Sequence, residues 1–204
     1  MNLNGIKNII FDLGGVILDI DYNLTVKAFE ALGIPNFKEQ YSKMSQSNLF
    51  DDIETGKISP EEFCDLIRAV AKKDFSNNQI NTAWNALLLH LPQHRIDLLK
   101  ELNGKFRLFL LSNTNAIHYE DYTKIIKREN GLEGLESLFE KTYLSYEMGL
   151  RKPDSEIFQV VLNENNLVPK ETLFIDDSPQ HIKSAKSLGI VAYHLENEDI
   201  NELF

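Results

Sequence analysis

The sequence predicts an α/β fold: a doubly wound parallel sheet of Rossmann-like type, with an all-helical domain inserted after the first strand. Three observations predict it. Apolar runs of strand length recur along the chain, rich in β-branched and aromatic residues. Helical patterns separate most of them, as in a parallel sheet covered on both faces. One stretch, from about Asp19 to Leu91, breaks the alternation and carries helical patterns alone.

The first strand is the run Ile9–Phe11, which ends at Asp12 and is followed by Gly14 and Gly15. Helical signals then take over. Ser59-Pro60-Glu61-Glu62 reads as a helix start, with Ser as N-cap, Pro at the first helical position and Glu at the third. Ser76 and Gln79 repeat the capping-box spacing before INTAWNALLLHL. Phe63, Leu66, Ile67 and Val70 are expected to share a buried face. Cys64, in the same helix, is read as a packing residue, and Trp84 as core of the helical piece. Residues 18–95 are accordingly expected to form the helical domain, and 1–17 with 96–204 the sheet domain.

The remaining strands follow in order: FRLFLL before Ser112, TYL before Ser145, TLFI before Asp176, and IVAYHL from Ile190 to Leu195. Between them, EIFQVVLNENN spaces its apolar residues for one buried helix face. HIKSAKSLG ends in Gly189, a good residue just past a helix C-terminus. The acidic tail ENEDINELF is expected to fray until Leu203 and Phe204 find a surface.

Composition narrows the function classes. The chain has 204 residues, a net charge of −10 and one cysteine. Such an acidic chain repels phosphodiester backbones, which argues against a nucleic-acid partner. A lone Cys64 forms no internal disulfide. No apolar run approaches the roughly 18 residues of a membrane span, and no secretory leader is visible. A cytoplasmic protein, monomeric or homodimeric, is the expectation. The five histidines show no metal-ligand spacing; His118, close after Ser112-Asn113, could touch a ligand but is read first as a helix-surface residue.

Strands of an open parallel sheet deliver their next residue to the carboxyl edge, where such folds bind ligands. The strand exits here carry Asp12, Ser112-Asn113, Lys152 after a loop, and Asp176-Asp177. Singly, each has a bland reading as a turn, cap or surface residue. Together they form an ordered set: a carboxylate nucleophile, a hydroxyl with an amide, an ammonium and a carboxylate pair.

IIFDLGGV, LFLLSN, RKPD with Phe158, and LFIDDS resemble, in order, the four motifs of the haloacid dehalogenase superfamily, most of whose members are phosphatases. The resemblance runs from Asn8 to Leu195. It is nearest to a branch with DLGxV in the first motif, which includes phosphatases of small sugar phosphates such as glucose 1-phosphate. Ser155 stands where the third motif usually has its second proline. The resemblance implies that Asp12 attacks phosphorus to give an aspartyl-phosphate. It implies that Ser112, Asn113 and Lys152 hold the phosphoryl oxygens, and that Asp12, Gly14, Asp176 and Asp177 bind Mg²⁺. The substrate would be a small phosphorylated metabolite. A metal-independent dehalogenase and a non-catalytic phosphate-ligand-binding protein are the alternatives.

One position departs from the common pattern. Most of these phosphatases have a second Asp two residues after the nucleophile, which protonates the leaving oxygen; here Gly14 stands there. Such assistance is worth ~10²–10⁴ in rate, or roughly 3–5 kcal/mol. Either the leaving group needs little protonation, as with an anomeric C1 ester, or Asp19 or Asp21 reaches back, or the chain binds without turnover. The first reading is favoured, because Asp19 and Asp21 read more simply as turn and N-cap residues. Tyr22 with Asp21 is a candidate substrate contact from the helical domain.

Overall fold

All five apolar runs become strands in the computed structural model, which describes residues 3–34, 36, 37, 39 and 48–204. They are β1 (Asn8–Phe11), β2 (Arg107–Ser112), β3 (Lys141–Leu144), β4 (Thr172–Asp176) and β5 (Val191–His194). Their order is β3-β2-β1-β4-β5, and every pairing is parallel. Phe11 lies opposite both Leu110 and Ile175. That register brings Asp12, Ser112 and Asp176 out along one edge.

Period-two alternation splits the sheet residues between two cores. Ile9 and Phe11 pack with Ile96 and Leu99 of α5 (Gln93–Asn103) and with Tyr122 and Ile126 of α6 (Ala116–Asn130). Ile10 points the other way, toward Phe158 and Val161 of α8 (Ser155–Glu164) and Ile182 of α9 (Pro179–Ser187). Helices therefore cover both faces, which is why the central strands tolerate unbroken apolar sequence. α9 stops as its sequence predicts, with Gly189 at φ +82° just beyond the cap.

Between β1 and α5 lie α1 (Tyr22–Ala31), α2 (Leu49–Glu54), α3 (Pro60–Ala71) and α4 (Asn77–Asn85). They enclose their own apolar cluster, which includes Phe29, Ile53, Phe63, Ile67, Ile80 and Trp84. Both predicted capping boxes form, Ser59 with Glu62 and Ser76 with Gln79. The predicted face of α3 needs correction. Phe63 and Ile67 are buried with Cys64, but Leu66 and Val70 are 42% and 43% exposed. The buried stripe is centred between positions 63, 64 and 67, so Leu66 and Val70 fall on its flank.

The acidic tail is docked rather than frayed, through one of the two residues expected to seek a surface. A 3₁₀ turn at Ile200–Leu203 buries Ile200 and Leu203 against α5, while Phe204 stays exposed. Arg95 fixes the approach, donating from Nε and Nη2 to Asp199 at 3.1 and 3.0 Å. Two apolar side chains one 3₁₀ turn apart suffice to hold a charged segment when its acid finds a fixed guanidinium. Among the described residues, no helix is long and apolar enough to cross a membrane.

Candidate active site

The first turn after β1 is tightly specified. Gly15 has φ +75°, and a Cβ there would meet Asp177 Oδ2 at 2.3 Å. Only glycine lets the loop after Asp12 pass so close to the loop after β4. Asp12 and Asp177 are thereby brought together from strand ends more than 160 residues apart.

Lys152 organises the floor of the site. Its side chain is wholly buried, and Nζ donates to Asp12 Oδ1 at 2.7 Å, to Asp176 Oδ2 at 2.7 Å and to the Leu111 carbonyl at 2.8 Å. Those three bonds use every donor an ammonium has. Desolvation alone would lower the Lys152 pKa, but the carboxylates of Asp12 and Asp176 outweigh it and hold the ammonium charged. Asn113 fixes the loop that delivers the lysine. Its Nδ2 donates to the Lys152 carbonyl at 2.8 Å, and its Oδ1 accepts from the Lys152 amide at 2.9 Å.

The two carboxylates on the lysine are driven apart in acidity. Burial pushes Asp12 up to about 7 against the pull of Lys152, with Asp176 adding to the rise. Asp176 is also raised by burial, but Lys152 and His181 win and bring it to about 2. His181 Nδ1 lies 2.9 Å from Asp176 Oδ1, an interaction absent from the sequence reading. Asp177 is raised by burial and by the Asp176 charge. Asp12, Asp176 and Asp177 place oxygen atoms within 4.8 Å of one another. Three carboxylates facing one ammonium leave the cluster negative, and an all-oxygen donor set of this kind suits a hard divalent cation.

A cavity of about 390 Å³ opens above this floor, bordered by Asp12, Gly14, Ser112, Asn113 and Asp177. All seven sequence-predicted site residues therefore meet at one place, with Lys152 and Asp176 directly beneath Asp12. The helix after β2 is capped by Asn115, which accepts from Ile117 N and His118 N. Asn113 thus precedes the helix start, and its side chain serves the lysine loop.

Another wall of the cavity comes from the helical insertion, α6 and the loop before Lys152, and the sequence reading missed most of it. Trp84, Glu54, His118 and Arg151 line it. Trp84 is core, as expected, stacked on Phe50 at 5.2 Å, but its other face meets His118 at 5.0 Å. Trp84 Nε1 is buried without an acceptor among the described residues. His118 is not a helix-surface residue. Its Nδ1 lies 2.7 Å from Asn85 Oδ1, and Asn85 Nδ2 donates to the Ile117 carbonyl. With the amide oriented that way, Nδ1 carries the proton and Nε2 is left as an acceptor. Burial lowers the His118 pKa to about 3, so the ring is neutral. Arg151, immediately before Lys152, pairs with two acids of α2: Asp51, and Glu54 at 2.9 Å. No helical period marks Glu54 or Arg151, so only the tertiary fold reveals them. Asp19 and Asp21 are engaged elsewhere. Asp19 accepts from Arg95 at 2.8 Å, and Asp21 caps α1 through Asn23 N.

Comparison with known proteins agrees with this geometry. The family model for haloacid dehalogenase-like hydrolases matches residues 9–194. The chain is 34% identical over 194 residues to a D-ribitol-5-phosphate phosphatase of Bacteroides thetaiotaomicron, covering 94% of this chain and 93% of the relative. It is similar to the crystal structure of a haloacid dehalogenase family enzyme of the same organism in complex with magnesium and inorganic phosphate. The TM-score is 0.89 at 41% identity, over 98% of this chain and 99% of that one. A predicted hydrolase of this family from Porphyromonas gingivalis superposes with a TM-score of 0.87 at 32% identity, over 97% of this chain and 96% of that one. An L-2-haloacid dehalogenase of Xanthobacter autotrophicus, at 16% identity and a TM-score of 0.60, shares the fold alone. On its sequence match, its sheet topology and its four strand-end motifs, the chain belongs to the haloacid dehalogenase-like hydrolases.

Proposed function

We propose that this enzyme is a Mg²⁺-dependent phosphomonoesterase acting on small phosphorylated polyols and sugars through an aspartyl-phosphate on Asp12. The observation that carries the reading is the buried Asp12–Lys152–Asp176 cluster at the base of a cavity of metabolite size. Asp12, Asp176, Asp177 and the Gly14 carbonyl would hold Mg²⁺. That ion supplies charge neutralisation, so that an anionic carboxylate and an anionic phosphoryl group can meet.

The protein's own groups divide the remaining work. Lys152 keeps Asp12 oriented and offers positive charge where the phosphoryl oxygens gather it. Ser112 and Asn113 border the same place and complete the phosphoryl cradle. The helical residues 18–95 act as a cap that excludes water and reads the organic part of the substrate. Trp84 Nε1 and His118 Nε2, one bare donor and one bare acceptor, suit an uncharged chain of hydroxyls. The site is complete within one chain, so the reaction needs no second copy whether the protein is monomeric or a homodimer. A buried lone thiol and the acidic surface fit a cytoplasmic enzyme without a nucleic-acid partner.

Gly14 by itself favours anomeric C1 esters, whose leaving oxygen is the less basic. The ribitol-5-phosphate phosphatase relative acts on a primary ester, whose alkoxide leaves poorly without a proton. Both ester types belong in the test. Phosphate release is measured from a panel of polyol and sugar phosphates, with Mg²⁺ and with EDTA, for wild type and Asp12→Asn. The expected result is release that needs both Mg²⁺ and Asp12. Chloride release from a 2-haloacid undiminished by EDTA would instead assign the dehalogenase chemistry, and tight calorimetric binding without turnover the non-catalytic role.

A further inference from the structure

We infer that Glu54, delivered from the helical insertion, is the general acid that position 14 lacks. The inference rests on the phosphomonoesterase reading and deepens it. Among the described residues lining the cavity, the carboxyls are Asp12, Asp177 and Glu54. Asp12 is the nucleophile, and Asp177 belongs to the cation-binding set. Asp19 and Asp21 are tied to Arg95 and to the α1 cap. The two imidazoles on the wall do not serve either. Burial lowers His118 to about 3, so its ring is neutral, and His181 turns Nδ1 onto Asp176 and so sits with the cation-binding carboxylates.

Glu54 is held in place rather than merely nearby. It is the last residue of α2, whose Ile53 is buried and whose Phe50 stacks on Trp84. Two residues on, Gly56 has φ +65°, and a Cβ there would meet the Tyr146 carbonyl at 2.4 Å. That approach presses the end of α2 against α7 (Ser145–Met148) on the sheet side. Arg151 spans the same junction, binding Glu54 and Asp51 from the loop that carries Lys152. A carboxyl fixed across the boundary of two packed units lines the same cavity as Asp12.

The local charges suit proton donation. Burial raises the Glu54 carboxyl to about 7, with Lys152 opposing and Asp12 adding to the rise. Arg151, 2.9 Å from Glu54, is shared with Asp51. On α7, Tyr146 donates to Glu147, which leaves that pair turned toward each other. A donor poised near neutral pH is what general acid catalysis asks for.

The two half-reactions balance. In the first, Asp12 forms a bond to phosphorus, the P–O bond to the leaving alcohol breaks, and the Glu54 proton goes to that oxygen. In the second, water forms the new P–O bond, its proton goes to Glu54, and the acyl-phosphate P–O bond breaks to restore the Asp12 carboxylate. Inorganic phosphate and the alcohol are the products.

Glu54→Gln tests this through leaving-group dependence. The probes are D-ribitol 5-phosphate, whose alkoxide needs a proton, and p-nitrophenyl phosphate, whose phenolate is stable without one. kcat/KM reports the steps through phosphoryl transfer to Asp12. For the alkyl ester it is expected to fall about 10²-fold or more, and for the aryl ester at least tenfold less. The variant should also show a burst of p-nitrophenolate, because the second step still needs the missing base. Gly14→Asp in the Glu54→Gln background should recover at least tenfold of the alkyl kcat/KM. The Gly14 backbone permits it, since an added Cβ meets only the flexible end of Ile20 at 2.9 Å. Equal losses on both esters, or no loss on either, would overturn the assignment. A wild type that releases phosphate from neither ester would instead remove the phosphomonoesterase reading beneath it.

Discussion

At the sheet end of the cavity all three Nζ donors of Lys152 are taken, by Asp12, Asp176 and the Leu111 carbonyl. At the helical end Trp84 Nε1 is buried with no acceptor among the described residues. The first end is saturated before any substrate arrives. The second leaves a donor waiting, at a cost that a hydroxyl-bearing ligand would relieve. The contrast teaches that chemistry and recognition are built separately here. One is over-determined by charge and packing on the sheet edge, and the other is an incomplete aromatic wall on inserted helices.

The sharpest way to break the comparison is to remove the saturated centre. Lys152→Met strands Asp12 and Asp176 in the interior without their counter-charge. Truncating one side of a buried pair typically costs ~3–5 kcal/mol. Thermal unfolding in EDTA should register a loss of that order, and phosphate release should fall below detection. An unchanged melting temperature would show that the cluster is not the rigid element described.

pH separates the two ends next. In the folded protein burial raises the Glu54 carboxyl to about 7, against an ordinary value of 4.5. A raised carboxyl means the folded state holds more protons than the unfolded state between those values. Its contribution is therefore fully present below about 4.5 and is lost as pH rises toward 7. Comparison of wild type with Glu54→Gln by chemical denaturation should isolate a difference of roughly 1–3 kcal/mol across that window. The Asp176 carboxyl behaves oppositely. Its value of about 2, below the usual 3.8, adds stability above pH 3.8 that disappears as pH falls through 2.

Trp84→Phe probes the recognition wall while retaining the ring stack. Losing one hydrogen bond to a substrate hydroxyl should lower kcat/KM for a polyol phosphate about 5–30-fold, mainly through KM. For p-nitrophenyl phosphate, which offers no such hydroxyl, the change should be severalfold smaller. Equal effects on both would assign Trp84 to packing alone. The smallest effect belongs to Ser59→Ala, which removes the cap of α3 and should cost about 1 kcal/mol with activity intact. Circular dichroism melts would read it.

These two ends were also unequally legible. β1, β2 and β4 could be read because strands buried on both faces carry unbroken apolar runs. Asp12, Ser112 and Asp176 follow those runs directly, so the sheet fixed their meeting. The capping boxes at Ser59 and Ser76 are local hydrogen-bond patterns and were equally plain. Leu66 and Val70 misled because helical spacing gives the width of a face but not its centre. Glu54 and Arg151 were invisible as site residues, and His118 was weighed as a substrate contact but set aside, since their positions depend on how the helical insertion seats on the sheet. In the tail, Leu203 finds the surface its apolar side chain calls for, while Phe204 stays exposed.

The central claim is that Asp12 takes phosphorus covalently. Rapid acid quench during turnover of a good substrate, followed by peptide mass spectrometry, tests it most directly. The account predicts a phosphoryl adduct on the Asp12 side chain, absent in Asp12→Asn and accumulating further in Glu54→Gln with p-nitrophenyl phosphate. Turnover with no adduct on that aspartate at any quench time would contradict it.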